Sequence, residues 1–151
     1  GTAFDPAVNA SSPFAVGQNI ADRFVIPFTS RNTFTLSADA TFLRLGDNEL
    51  SAHVDYRYQS GFYGAAGAGP AVPGREFYRA PSAETVNARL TWLRDLDGGK
   101  ALRVSLWGQN IFDTRNEQFI IAQGDTINGF VSQAAPYSEP ASYGVEISLD
   151  F

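Results

Sequence analysis

From Asn32 onward, apolar and polar side chains alternate. Phe34, Leu36, Ala38, Ala40 and Phe42 share one parity, and Thr33, Thr35, Ser37, Asp39 and Thr41 share the other. A period of two belongs to an extended chain whose successive side chains point to opposite faces, so this stretch predicts a β-strand. The alternation returns over Leu50, Ala52, Val54, Tyr56 and Tyr58, over Val86, Ala88, Leu90 and Trp92, and over Leu102, Val104 and Leu106. It returns once more from Tyr143 to Phe151, where every odd position is apolar. The predicted architecture is all-β, an antiparallel up-and-down meander with strands near 32–43, 49–60, 84–95, 101–112 and 142–151.

The connections come in two kinds. Leu45-Gly46-Asp47-Asn48 and Asp97-Gly98-Gly99 are tight-turn signals, whereas residues 61–83 and 113–142 are long and rich in Gly, Ala and Pro or irregular. The second long connection has room for its own hairpin around Asn128-Gly129. Residues 1–31, with Asp5-Pro6, Ser12-Pro13 and Ile26-Pro27, hold no sustained period and are read as a loop.

Alternation by itself equally suits a soluble sheet with one face in a core. Three features favour a membrane barrel. The strands run to about 9–11 residues, longer than the common globular length and matched to a tilted bilayer crossing. Short turns alternate with long connections, as in outer-membrane barrels with short periplasmic turns and long outer loops. On the apolar parity, aromatic residues gather toward the strand ends: Phe34, Tyr56, Tyr58, Phe112 and Tyr143 toward the long connections, and Phe42, Trp92 and Phe151 toward the short turns. The opposite parity carries His53, Asp55, Arg57, Gln59, Arg89, Arg103, Glu146 and Asp150, groups that a hydrated lumen accepts and a dry core does not.

Composition narrows the partners. A net charge of -5 without a run of Lys or Arg gives no footprint for nucleic acid. The chain has no cysteine, which removes disulfide, thiol-zinc and thiol-redox chemistry. No apolar run reaches the roughly 18 residues of a membrane-spanning helix, a test that barrel strands evade. The sequence opens on Gly1, contains no Met and shows no signal peptide, which reads as a processed product or a fragment.

Val104-Ser105-Leu106-Trp107-Gly108-Gln109-Asn110-Ile111-Phe112-Asp113 resembles the penultimate-strand pattern of TonB-dependent receptors, in which an aromatic-bearing strand leads into an Asn-Leu-Phe-Asp-like run; here Ile111 stands for the Leu. Pro140-Ala141-Ser142-Tyr143-Gly144-Val145 and the terminal Phe151 resemble that family's closing strand, with Ala141 and Ser142 where an Arg is usual. The resemblance covers roughly residues 25–151. It implies the C-terminal portion of a barrel of about 22 strands in the bacterial outer membrane. Implied with it are upstream barrel strands and a plug domain, neither within residues 1–151, energy from the TonB system through that plug, and barrel-assembly machinery that reads Phe151. The implied activity is import of a scarce nutrient, with an iron-siderophore type chelate as the leading small-molecule cargo; cobalamin, nickel chelates and oligosaccharides stay open. A small outer-membrane adhesin or structural barrel and a soluble β-sandwich binding module remain as alternatives.

Candidate chemistry is sparse. His53 is the sole histidine and has no metal-ligand spacing around it, and the segment 61–74 lacks a phosphate-loop or dinucleotide fingerprint and reads as flexible. Asp39, Asp55, Glu146 and Asp150 fall on strand walls, so neither catalysis nor a cofactor or metal is expected. In the first long connection Arg75, Tyr78 and Arg79 combine cationic donors with an aromatic ring, a combination suited to an anionic or catechol-bearing ligand, although a solvated loop explains them too.

Overall fold

A computed structural model describes residue 15 and residues 17–125 and 130–151. The strands are β1 (Thr33–Leu45), β2 (Asn48–Gln59), β3 (Phe62–Tyr63), β4 (Arg79–Ala80), β5 (Ala83–Leu96), β6 (Lys100–Gln109), β7 (Ile121–Asp125), β8 (Phe130–Ala134) and β9 (Ser142–Asp150). Among the described residues the only helical pieces are 3-10 turns at Ala21–Arg23 and Arg75–Tyr78. The chain divides into two compact units. One comprises Asn32–Ser60, Ser82–Asn116 and Tyr137–Phe151; the other comprises Gly1–Arg31, Gly61–Pro81 and Glu117–Pro136.

The first unit is a five-stranded antiparallel sheet in the order β1-β2-β5-β6-β9, and it does not close on itself. The five long strands are those the alternation predicts. Both tight turns form where expected: Leu45 pairs with Asn48 around Gly46 at φ 56, and Leu96 pairs with Lys100 around Gly98 and Gly99 at φ 79 and 77. A side chain at such φ would crowd the following carbonyl, which is why glycine occupies them.

Two strand ends differ from expectation. β1 continues to Leu45 because a bulge between Thr41 and Leu43 lets Phe42 drop out of the register. Leu43 and Leu45 then resume the apolar parity opposite Leu50 and Asn48. β6 ends at Gln109 rather than near 112, because Asn110 turns the chain at φ 47.

Cross-strand partners share a face, so the register sorts the sheet into two surfaces. On one, Leu36 pairs with Tyr56, Ala38 with Val54, Ala52 with Leu90, Leu90 with Leu106, and Val104 with Ile147. On the other, Ser37 pairs with Asp55, Asp39 with His53, His53 with Arg89, Thr91 with Ser105, and Ser105 with Glu146. The apolar surface is uncovered within this unit. Val54 and Leu90, on strands flanked on both sides, remain 40% and 39% exposed.

The second unit turns connections expected to be loops into packed structure. Phe62, Ala80 and Ile120 form a buried cluster with Ala135 against it, and Ile20 and Ala68 are buried as well. Backbone bonds tie its segments together: Val25 N–H donates to Ala66 O (2.9 Å), Phe28 N–H to Tyr63 O (2.8 Å), Ala71 N–H to Asp22 O (2.9 Å) and Gly64 N–H to Tyr78 O (2.7 Å). The segment read as flexible, 61–74, thus makes defined contacts. β7 and β8 pair as the hairpin expected in the second long connection, while Asn128-Gly129 lies outside the described residues.

Candidate functional site: a polar wall and a loop cluster

The polar surface of the sheet is built from short polar side chains whose partners lie across strands. His53 stands between two carboxylates, Nδ1 at 2.7 Å from Asp39 Oδ1 and Nε2 at 2.9 Å from Asp55 Oδ2. Carboxylates only accept, so both contacts are hydrogen bonds at once only when each ring nitrogen carries a proton. Ser37 Oγ donates to the other oxygen of Asp55 at 2.5 Å. Arg89 Nη1 donates to Glu146 Oε2 at 3.0 Å, and Thr91 Oγ1 and Ser105 Oγ lie 3.0 Å apart with Ser105 only 1% exposed. The carboxylates Asp39, Asp55 and Glu146 therefore each face a cationic or donor group. Shallow recesses lie on either side of His53 and Arg89. One is lined by Asp39, Thr41, Ser51 and Thr91, the other by Asn87, Trp107 and Gln109. No group of three or more His, Cys, Asp or Glu among the described residues is placed to hold a metal ion.

At the end of the sheet where β6 stops, the Asn-Phe-Asp run forms a knot of side chain to backbone bonds. Asn110, 6% exposed, donates through Nδ2 to Thr114 O and Glu139 O, both at 3.0 Å. Its Oδ1 accepts from Thr114 N (3.1 Å) and Thr114 Oγ1 (2.8 Å), and its backbone N–H donates to Asn87 Oδ1 (3.0 Å). Asp113 Oδ1 accepts from Ala141 N at 3.0 Å, and Tyr143 OH donates to Ile111 O at 2.7 Å. Asparagine suits the position because it tolerates positive φ and supplies donors and acceptors on one short side chain. The knot joins the start of β5, the end of β6 and the approach to β9. The sequence shows the motif but not these partners, which lie up to 32 residues away.

Arg75 and Tyr78 occupy the second 3-10 turn and Arg79 opens β4. The Arg75 guanidinium sits 4.3 Å from the Tyr63 ring centroid, and its Nε is 3.8 Å from Glu76 Oε1, within charge attraction but beyond hydrogen bonding. Arg79 Nη1 donates to Glu76 Oε2 at 3.4 Å, and Tyr63 OH donates to Glu76 Oε1 at 3.3 Å. Two guanidinium groups share one carboxylate, which leaves the cluster a net positive charge. Tyr78 is half-buried. Glu76 and Tyr63 complete this cluster and were not singled out in the sequence. Phe151 follows β9, is 89% exposed, and has Lys100 Nζ 5.8 Å from its ring centroid.

Compared with protein-family models, curated proteins and solved structures, the chain matches none.

Proposed function

We propose that the chain is part of a bacterial outer-membrane β-barrel of the TonB-dependent receptor type, which captures a scarce nutrient, foremost an iron-siderophore type chelate, and passes it inward with energy from the TonB system. The observation that carries this reading is the two-faced sheet. One face is a continuous array of exposed aliphatic side chains and the other a hydrogen-bonded polar wall. An apolar surface of that extent on a protein marks a contact with lipid or with another protein. Strand length favours lipid: the 12 residues of β2 extend about 40 Å, or about 28 Å along the normal when tilted about 45°, close to the roughly 30 Å of hydrocarbon.

The sheet's edges, β1 and β9, each have one neighbour. In hydrocarbon an unpaired backbone group costs several kcal/mol, so a sheet embedded there needs further strands to close a barrel, for which the family resemblance implies about 22 in all. Short turns at one end of the sheet and long connections at the other match periplasmic and outer sides. The net positive Arg75–Glu76–Arg79 cluster then lies in an outer connection, where it suits an anionic chelate.

Uptake of a labelled ferric catecholate by cells carrying the whole protein tests the reading. Uptake is expected to saturate, to stop when TonB is deleted, and to weaken several-fold in Arg75→Ala/Arg79→Ala. Uptake that proceeds unchanged without TonB would refute the energised-import reading.

A further inference from the structure

The polar surface has two large apolar exceptions, Leu93 and Trp107. Leu93 lies toward the short turns, between Glu49 and Arg103. Trp107 is placed differently. It pairs with Arg89 on one side and with Gly144 on the other, and its six-membered ring and N–H edge lie over the Gly144 backbone. A Cβ at Gly144 would come 2.6 Å from Trp107 Cε2 and 2.9 Å from Nε1, so the absence of a side chain on β9 is what lets the indole lie there.

The indole belongs to the recess it shares with His53, Asp55, Asn87, Arg89 and Gln109. Asn87 uses its Oδ1 to accept from Asn110 N, and Arg89 uses Nη1 for Glu146. This combination, a half-exposed ring laid on the sheet with planar amides and a guanidinium at its margin, complements one ligand class well. A sugar ring offers a flat apolar face of C–H groups that stacks on an aromatic ring, and a rim of hydroxyls that pairs with amide and guanidinium groups. A purely structural Trp would satisfy only the first half of that description.

We propose that the Trp107 recess is a binding subsite for a saccharide unit, with the indole as stacking platform and Asn87, Arg89 and Gln109 as its hydrogen-bonding rim. The proposal rests on the barrel reading only in taking this face as the one open to water and cargo.

The test uses the whole protein purified in detergent and titrated with maltohexaose and, separately, xylohexaose. Trp92, on the apolar face, is the chain's other tryptophan and serves as the internal control. Trp107→Leu keeps an apolar side chain over Gly144 but removes the platform, and it is expected to weaken binding of the oligosaccharide by roughly tenfold or more. Gln109→Ala is expected to weaken it several-fold, and Trp92→Phe to leave it unchanged. Failure of both oligosaccharides to bind the unaltered protein, or equal binding by Trp107→Leu, overturns the subsite. Reconstitution with brominated lipids separates this from failure of the barrel reading, the Trp107 signal being taken as the emission lost in Trp107→Leu. Quenching of Trp107 from the acyl chains would overturn the face assignment and both readings together. Quenching of Trp107 by aqueous iodide with no saccharide binding would overturn the subsite alone.

Discussion

In the sheet unit β2, β5 and β6 have backbone partners on both sides, yet Val54 and Leu90 remain well exposed. In the loop unit the ladders among the described residues are the short β3–β4 and β7–β8 pairs, yet Phe62, Ala80 and Ile120 are buried together. The sheet is thus specified by register and hydrogen bonding while its apolar face stays uncovered within the unit. The loop unit is specified by close approach of backbones around a small core. A change of volume should therefore be felt in the second unit, and a change of hydrogen bonding or register in the first.

The largest effect is expected from Gly69→Ala. A Cβ there would run into the backbone of Asp22 and Arg23, which cannot move aside as a side-chain tip can. The bonds from Gly69 N to Arg23 O and from Ala71 N to Asp22 O would be lost or stretched, at a cost of about 3 kcal/mol or more. Hydrogen exchange should quicken at Val25, Gly69 and Ala71 while the amide of Ser105 in the sheet stays protected. Equal loss of protection in both units would dissolve the distinction between them.

Next in size is Asn110→Ala, which removes four side-chain bonds at a nearly buried position and places a Cβ without a polar group at φ 47. A loss of about 2–3 kcal/mol is expected in the unfolding free energy from denaturant titration, with protease cleavage appearing in residues 111–116. Asn110→Gly relieves the backbone and should recover only a minority of that loss. Full recovery by glycine would show that conformation, and not the knot of bonds, sustains the end of β6.

The smallest effect is expected from Gly108→Ala. Its Cβ would meet the Ile111 Cγ2 methyl at 2.7 Å and Tyr143 Cδ1 at 2.9 Å, side-chain atoms and not backbone, so the two side chains must turn aside and about 1–2 kcal/mol is expected. The Tyr143 hydroxyl bond to Ile111 O should weaken with it, read as faster exchange at the first amides of β9. A cost as large as that of Gly69→Ala would mean that the sheet unit is as tightly packed as the loop unit, contrary to the comparison.

The five long strands were legible because alternation is a local consequence of the pleat, written into each segment without reference to its neighbours. The turns at Gly46 and Gly98-Gly99 were legible because positive φ selects glycine locally. The bulge at Phe42 was not: Phe42 and Leu43 are adjacent apolar residues, which reads as the end of a strand, and only pairing with β2 shows that the register skips one residue and continues. The Arg75–Arg79 cluster was legible as a composition, but its balance of charge depended on Glu76 and its cation–π partner on Tyr63, 12 residues earlier in the sequence.

By itself, the sequence determined that this chain is all-β, where its long strands run, which parity is apolar and which connections are long, since each follows from backbone geometry acting over a few residues. The tertiary structure alone decided that Asp39 and Asp55 bracket His53, that Arg89 meets Glu146, that Trp107 lies over Gly144, and that the two long connections share one core. Those contacts depend on strand register and chain return over tens of residues, and a side-chain pattern with a period of two repeats identically at every second register, leaving the choice among them to long-range packing.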